Sequence, residues 1–144
     1  MFIIGEYMIF TRSTGYALLA LAELATIDNA IDTTNLSERI SVSKYFLAKL
    51  LQNLSKKGIV KSFKGVNGGF ILDKKPSEIK VIEIFECVED KDFLVYECAQ
   101  SESDCPNNRA SVCSIWPFLN LLEDRIFNYL EQFTLEDVIR MRSC

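Results

Sequence analysis

The stretch from Ser43 to Leu72 constrains the fold more than any other part of the chain. Leu47, Leu50, Leu51 and Leu54 repeat at the spacing of one helix face, and Ser43 stands where an N-cap belongs, which predicts a helix over 44–57. Lys56 and Lys57 suit the negative end of its dipole, and Gly58 supplies a left-handed stop. Two short β-type runs follow, 59–63 and 70–72, joined by Lys64-Gly65-Val66-Asn67-Gly68-Gly69. The glycines and the asparagine tolerate positive φ and so close a hairpin. Few folds place a sharply terminated helix directly before a glycine-tipped hairpin.

Upstream, 10–26 reads as a helix in which Tyr16, Leu19, Ala20, Glu23 and Leu24 recur at helical spacing. A turn over 30–34, a short helix over 34–39 and a break at Ile40-Ser41-Val42 complete three helices ahead of the hairpin. This is the order of a winged helix-turn-helix, in which the third helix enters the major groove of DNA and the hairpin reaches the adjacent backbone or minor groove. The expected class is mainly α, with a winged helix-turn-helix DNA-binding domain over 8–80 and Met8 as a plausible start. The remainder, 81–144, carries a cysteine-containing sensor loop and dimerisation helices. Pro76 ends the hairpin, and Val81, Ile84, Phe85 and Val88 form the inner face of a helix over 79–88. A polar stretch over 89–112 follows, longer than ordinary connections. A long amphipathic helix then starts near Trp116, with Pro117 in its first turn. Its stripe of Leu119, Leu122, Ile126 and Tyr129 or Leu130, flanked by Ile115 and Phe133, is too large for a lone surface helix. Thr134 and Asp137 form a capping box for a last short helix.

Charge divides the chain in two. The whole carries a net charge of −4, yet 36–75 holds nine Lys or Arg against only Glu38 and Asp73, while 81–137 holds thirteen acidic residues against three basic ones. A cationic module followed by an anionic one suits a polyanionic partner at one end only. The 144 residues contain no histidine, which excludes histidine-based catalysis and zinc fingers that use it. No enzyme site is legible. No apolar run is long enough to span a membrane, and the opening MFIIGEYMIF has neither a basic start nor a small-residue cleavage site. A cytoplasmic protein is expected, in which five cysteines are thiols or ligands rather than disulfides.

The candidate DNA-reading residues are Ser43, Lys44, Tyr45, Lys49 and Gln52 on the third helix, and Lys64 and Asn67 on the hairpin. Lysines neutralise phosphates, while Ser, Tyr, Gln and Asn side chains reach base edges. Cys98 and Cys105 lie in the polar stretch and Cys113 directly after it, in a loop that can fold thiolates round one centre. Thiolates ligate iron–sulfur clusters and zinc, and they also serve as redox switches; the spacing alone does not choose among these or exclude inert thiols. Cys87 reads as a half-buried core thiol and Cys144 as incidental. An iron–sulfur electron carrier would leave the cationic third helix unexplained.

The run LSERISVSKYFLAKLLQNLSKKGIVKSFKGVNGGFIL, with TRSTGYALLALAELA ahead of it, resembles the Rrf2 family of bacterial winged-helix repressors. The resemblance extends from about Met8 to Arg140. It implies a homodimer on palindromic double-stranded promoter DNA, joined through the long C-terminal helix. In members of the IscR and NsrR types it also implies a 2Fe-2S or 4Fe-4S cluster on the three cysteines. Members of the CymR type have no cluster and respond through a partner protein, so a clusterless regulator gated by a partner or by thiol oxidation is the alternative. The chain departs from the family at several points. Lys64 replaces the wing arginine of many members, and Ala48 stands where some have a base-discriminating glutamate. The histidine that IscR-like members use as fourth ligand after the third cysteine is absent, and Gly15 matches the aspartate that serves NsrR-like members. Glu97, Glu102, Asp104, a partner-subunit residue or a small molecule are left as fourth ligands.

Overall fold

In the computed structural model, which describes residues 10–95, 101–105 and 107–141, the first two helices start on side chains that accept the free amides of a first turn. Helix α1 is Arg12–Leu24, and the Thr11 hydroxyl accepts the Ser13 amide at 3.1 Å. Helix α2 is Thr33–Ile40, capped by the Asp32 carboxylate, which accepts the amides of Thr34 and Asn35 at 2.9 and 3.0 Å. These bonds hold the Asp32 carboxyl below its usual pKa, the Asn35 amide foremost. Ser41 then takes the left-handed conformation with φ of 54°, turning the chain into α3, Lys44–Lys56. The capping role expected of Ser43 is not realised. Its ψ of 129° differs from the 172° of Thr11 and the 160° of Asp32, and its hydroxyl makes no capping bond. Only its carbonyl serves the helix, accepting the Leu47 amide at 2.9 Å.

Helix α3 ends as its sequence predicts. Gly58 adopts φ of 71°, and the Gly58 and Ile59 amides bond back to the Ser55 and Leu54 carbonyls, both at 3.0 Å. This is a Schellman termination, with Ile59 and Leu54 fully buried at its apolar contact. Strands β1, Val60–Phe63, and β2, Gly69–Leu72, pair antiparallel with Val60 opposite Leu72 and Phe63 opposite Gly69. The hairpin is fastened to the turn before α2, because Phe70 and Ile31 exchange both backbone bonds, at 2.8 and 3.2 Å.

The winged helix-turn-helix continues into α4, Val81–Glu89, the long α5, Trp116–Leu130, and α6, Leu135–Met141. Single 3-10 turns lie at Pro76–Glu78, Glu102–Asp104 and Ala110–Val112. The main core joins Ala17, Leu21, Leu36, Leu47, Leu51, Ile84 and Leu135, drawn from five helices. On α1 the buried face is Thr14, Ala17, Ala20, Leu21 and Leu24, whereas Tyr16 and Leu19, which share the helical spacing of Ala20 and Leu24, are 37% and 42% exposed. The alanines face inward because other helices pack closely there, and Tyr16 is left at the margin, edge-on to Phe46 with ring centroids 5.6 Å apart. A second core joins Ile82, Phe85 and Phe93 to Ile126, Phe127 and Leu130. Thus the polar stretch after α4 begins with a buried anchor. After α5 the chain returns to the winged domain: Val81 donates to Phe133 and Leu135 to Ile79, at 2.9 and 2.8 Å. The Thr134–Asp137 capping box forms, with bonds of 2.8 and 3.4 Å. Among the described residues no helix is long and apolar enough to cross a membrane.

Candidate nucleic-acid interface and cysteine loop

One face of α3 closes the core through Leu47, Leu50, Leu51 and Leu54, so the opposite face is delivered to solvent. Ser43, Lys44, Tyr45, Lys49 and Gln52 are all exposed there, Tyr45 at 92%. Lys64 and Asn67 are exposed at the hairpin, beside Val66, whose side chain is wholly in solvent. The tip is shaped by Gly65, at φ of 105°, and closed by a 3.0 Å bond from the Gly68 amide to the Gly65 carbonyl.

The cations of the molecule differ in how they are used. Arg39 pairs with Glu23 at 3.1 Å, Lys74 with Glu83 at 2.7 Å, Lys80 with Glu131 at 2.9 Å and Arg140 with Glu136 at 3.3 Å. Lys44, Lys49, Lys56 and Lys64 take part in no ion pair among the described residues. Lys61 lies over the Phe63 ring, 5.4 Å from its centroid. The outward face of α3 and the wing therefore carry unneutralised positive charge together with amide, hydroxyl and phenol groups. That combination suits phosphates and base edges.

Of the three candidate ligands, Cys98 lies outside the described residues, as do Glu97, the Asp104 side chain and the terminal Cys144. Cys105 and Cys113 are half-buried free thiols on the wall of one open concavity of about 360 Å³, shared with Asn107, Arg109 and Val112. The Cys105 sulfur accepts the Arg109 backbone amide at 3.3 Å. That amide, then the Asn107 amide, hold the thiol below its usual pKa, in the direction that favours the ligating thiolate. Thiolates on one wall suit iron or zinc. Among the described residues no three Cys, Asp or Glu side chains converge into a metal site. Cys87 is buried in the main core, and burial pushes its thiol up. Gly15 is exposed and offers no ligand.

On α5, Leu119, Leu122, Ile126 and Leu130 are half-buried, and Ile126 and Leu130 lie against the second core. The more exposed apolar side chains of this region are Ile115, Phe118, Leu121 and Tyr129, at 57%, 62%, 49% and 61%. Sequence reasoning passed over Phe118 and Leu121, although Phe118 and Tyr129 stand about three turns apart and so share a face. It also missed Glu89, whose carboxylate accepts the hydroxyls of Thr11 and Thr14 and ties the end of α4 to the start of α1.

A family described as the Rrf2 iron-dependent transcriptional regulators matches residues 10–141. The transcriptional regulator NsrR of Bacillus licheniformis is 33% identical over 135 residues, covering 92% of each chain. Among solved structures, IscR of T. potens superposes with a TM-score of 0.67 at 25% identity, covering 94% of this chain and 89% of that one. CymR, the global cysteine regulator of B. subtilis, shares the fold with a TM-score of 0.69 at 24% identity, covering 92% and 96%.

Proposed function

This chain belongs to the Rrf2 family of transcriptional regulators, and we propose that it acts as a homodimeric repressor whose hold on promoter DNA depends on an iron–sulfur cluster carried by Cys98, Cys105 and Cys113. The observation that carries the DNA half is the outward face of α3 and the wing, where Lys44, Lys49 and Lys64 stand exposed, without ion pairs among the described residues, beside hydroxyl, phenol and amide groups. Lys44, Lys49 and Lys64 displace counterions from phosphates, and Tyr45, Gln52 and Asn67 read base edges. The anionic half turns away from the duplex and fixes which side docks. A second copy joins through α5 and presents two reading helices to half-sites. Replacing Lys49 and Lys64 with Ala, measured by fluorescence anisotropy on duplexes enriched from a random pool, lowers the salt slope by about one unit per lysine and weakens all sequences alike. Unchanged affinity in the double variant contradicts this docking.

The cluster half is supported by two free thiols sharing one concavity, by the amide-stabilised sulfur of Cys105, and by the kinship with NsrR and IscR. When bound, an iron–sulfur centre supplies reversible redox and ligand-exchange chemistry. The chain's own part is mechanical. Cys113 stands three residues before Trp116, so restraint at its sulfur acts on the first turn of α5, the helix that sets the spacing of the two winged domains. Anaerobic purification gives a coloured protein that loses its visible absorbance on Cys105→Ala. A colourless protein replaces this half with the clusterless regulator.

A further inference from the structure

We propose that Glu123 is a positioning residue for the cysteine centre: from the middle of α5 it holds the chain at Val95 and so sets where the segment leading to Cys98 begins. This proposal rests on the cluster reading above. Glu123 is 8% exposed, and with Thr14 it forms the whole set of buried polar side chains among the described residues. It makes no ion pair there. Its Oε2 accepts the Val95 backbone amide at 2.7 Å, across 28 residues of sequence. A buried carboxylate is costly, and an apolar residue of similar size packs as well without that cost. What the carboxylate adds is a short, charge-assisted bond to one chosen backbone amide.

The place of that amide gives the bond its use. Val95 stands three residues before Cys98, and Cys113 stands three residues before Trp116. Glu123 and Trp116 are seven residues apart on one helix, a rise of about 10 Å. Both ends of the cysteine-bearing stretch are thus tied to α5, and three residues of chain reach at most about 10 Å from each tie. Short chain on each side thus allows the first and last thiols to reach one small centre. Phe93, edge-on to Phe85 at 5.3 Å between centroids, already secures the segment to the second core. Val95 also packs against that core through its side chain, and the Glu123 bond adds a directional tie on its backbone, which apolar packing does not supply.

The test uses the full chain carrying Glu123→Leu, which keeps an apolar-compatible, helix-forming residue, and Glu123→Gln, whose carbonyl still accepts the amide. Three quantities are read: hydrogen exchange at Val95, loss of visible absorbance to an iron chelator after anaerobic reconstitution, and bridging of Cys98 to Cys113 by a short bis-maleimide in the metal-free chain. Trp116, the sole tryptophan, reports on the same region by fluorescence. In the Leu variant, Val95 exchange and cluster loss accelerate about tenfold and bridging falls, while dimerisation and helicity persist. The Gln variant stays within about twofold of the unmodified chain. Unchanged Val95 exchange overturns the proposal, as does accelerated exchange with unchanged bridging, or a Gln variant as impaired as Leu. An unmodified chain that takes up no iron and sulfide defeats the cluster reading instead, and bridging in the metal-free chain still decides the role of Glu123.

Discussion

A β-carbon on Gly69 would lie 2.3 Å from the carbonyl of Ile31, at a φ of 148° that side chains rarely adopt. Gly58 also has positive φ, 71°, but a β-carbon there meets nothing within 4 Å. The two glycines therefore separate backbone preference from close approach. Gly58→Ala costs about 1 kcal/mol, the left-handed penalty alone. Gly69→Ala costs about 3 kcal/mol, because it adds a backbone collision that parts the wing from the turn before α2. Denaturant midpoints check the ranking; equal losses refute it. The role of Gly58 was legible, since a leucine-rich helix running into Lys-Lys-Gly names its own stop. That of Gly69 was only half legible: the hairpin needed a flexible tip, but its neighbour Ile31 lies 38 positions away in the sequence. Ser43 shows the opposite limit. Residue type suggested a cap, and backbone torsion withheld it.

Helix boundaries followed from periodicity and punctuation, and α2, α3 and α5 start or stop within about a residue of expectation. Faces were harder. Tyr16 and Leu19 recur with Ala20 and Leu24 at helical spacing, yet the face that neighbouring helices cover is the alanine side, and both stay partly exposed. On α5 an apolar stripe nearly surrounds the helix, so periodicity alone does not divide what the chain covers itself from what it leaves open. The division gives a test. Phe118→Glu places a charge on a 62% exposed position and yields folded monomers by light scattering with unchanged helicity. Ile126→Glu places it against the second core and lowers the melting temperature of the chain itself. A Phe118→Glu chain that remains dimeric removes this face of α5 from the proposed interface.

The whole molecule is a cationic reading head on an anionic frame, and its parts are held at several points. Glu89 ties α4 to α1, Lys80 pairs with Glu131, and the chain leaving α5 bonds back beside α4. The C-terminal end of α5 is therefore fixed to the winged domain, while its N-terminal end adjoins Cys113. On the proposed reading, a change at the cysteines acts on that N-terminal end. The proposed reading surface could be nominated from the sequence because every candidate lies within about thirty consecutive residues. The three cysteines could be nominated from the sequence only as a candidate set, whereas the ties through Glu123 and Glu89 join positions 28 and 75 or more apart and needed the fold. The central claim is tested by titrating one labelled duplex, enriched from a random pool, with anaerobically purified protein before and after chelation of its iron at fixed salt. Affinity is expected to differ about tenfold or more between the two states, a coupling of about 1.4 kcal/mol. Equal affinity in both states contradicts it.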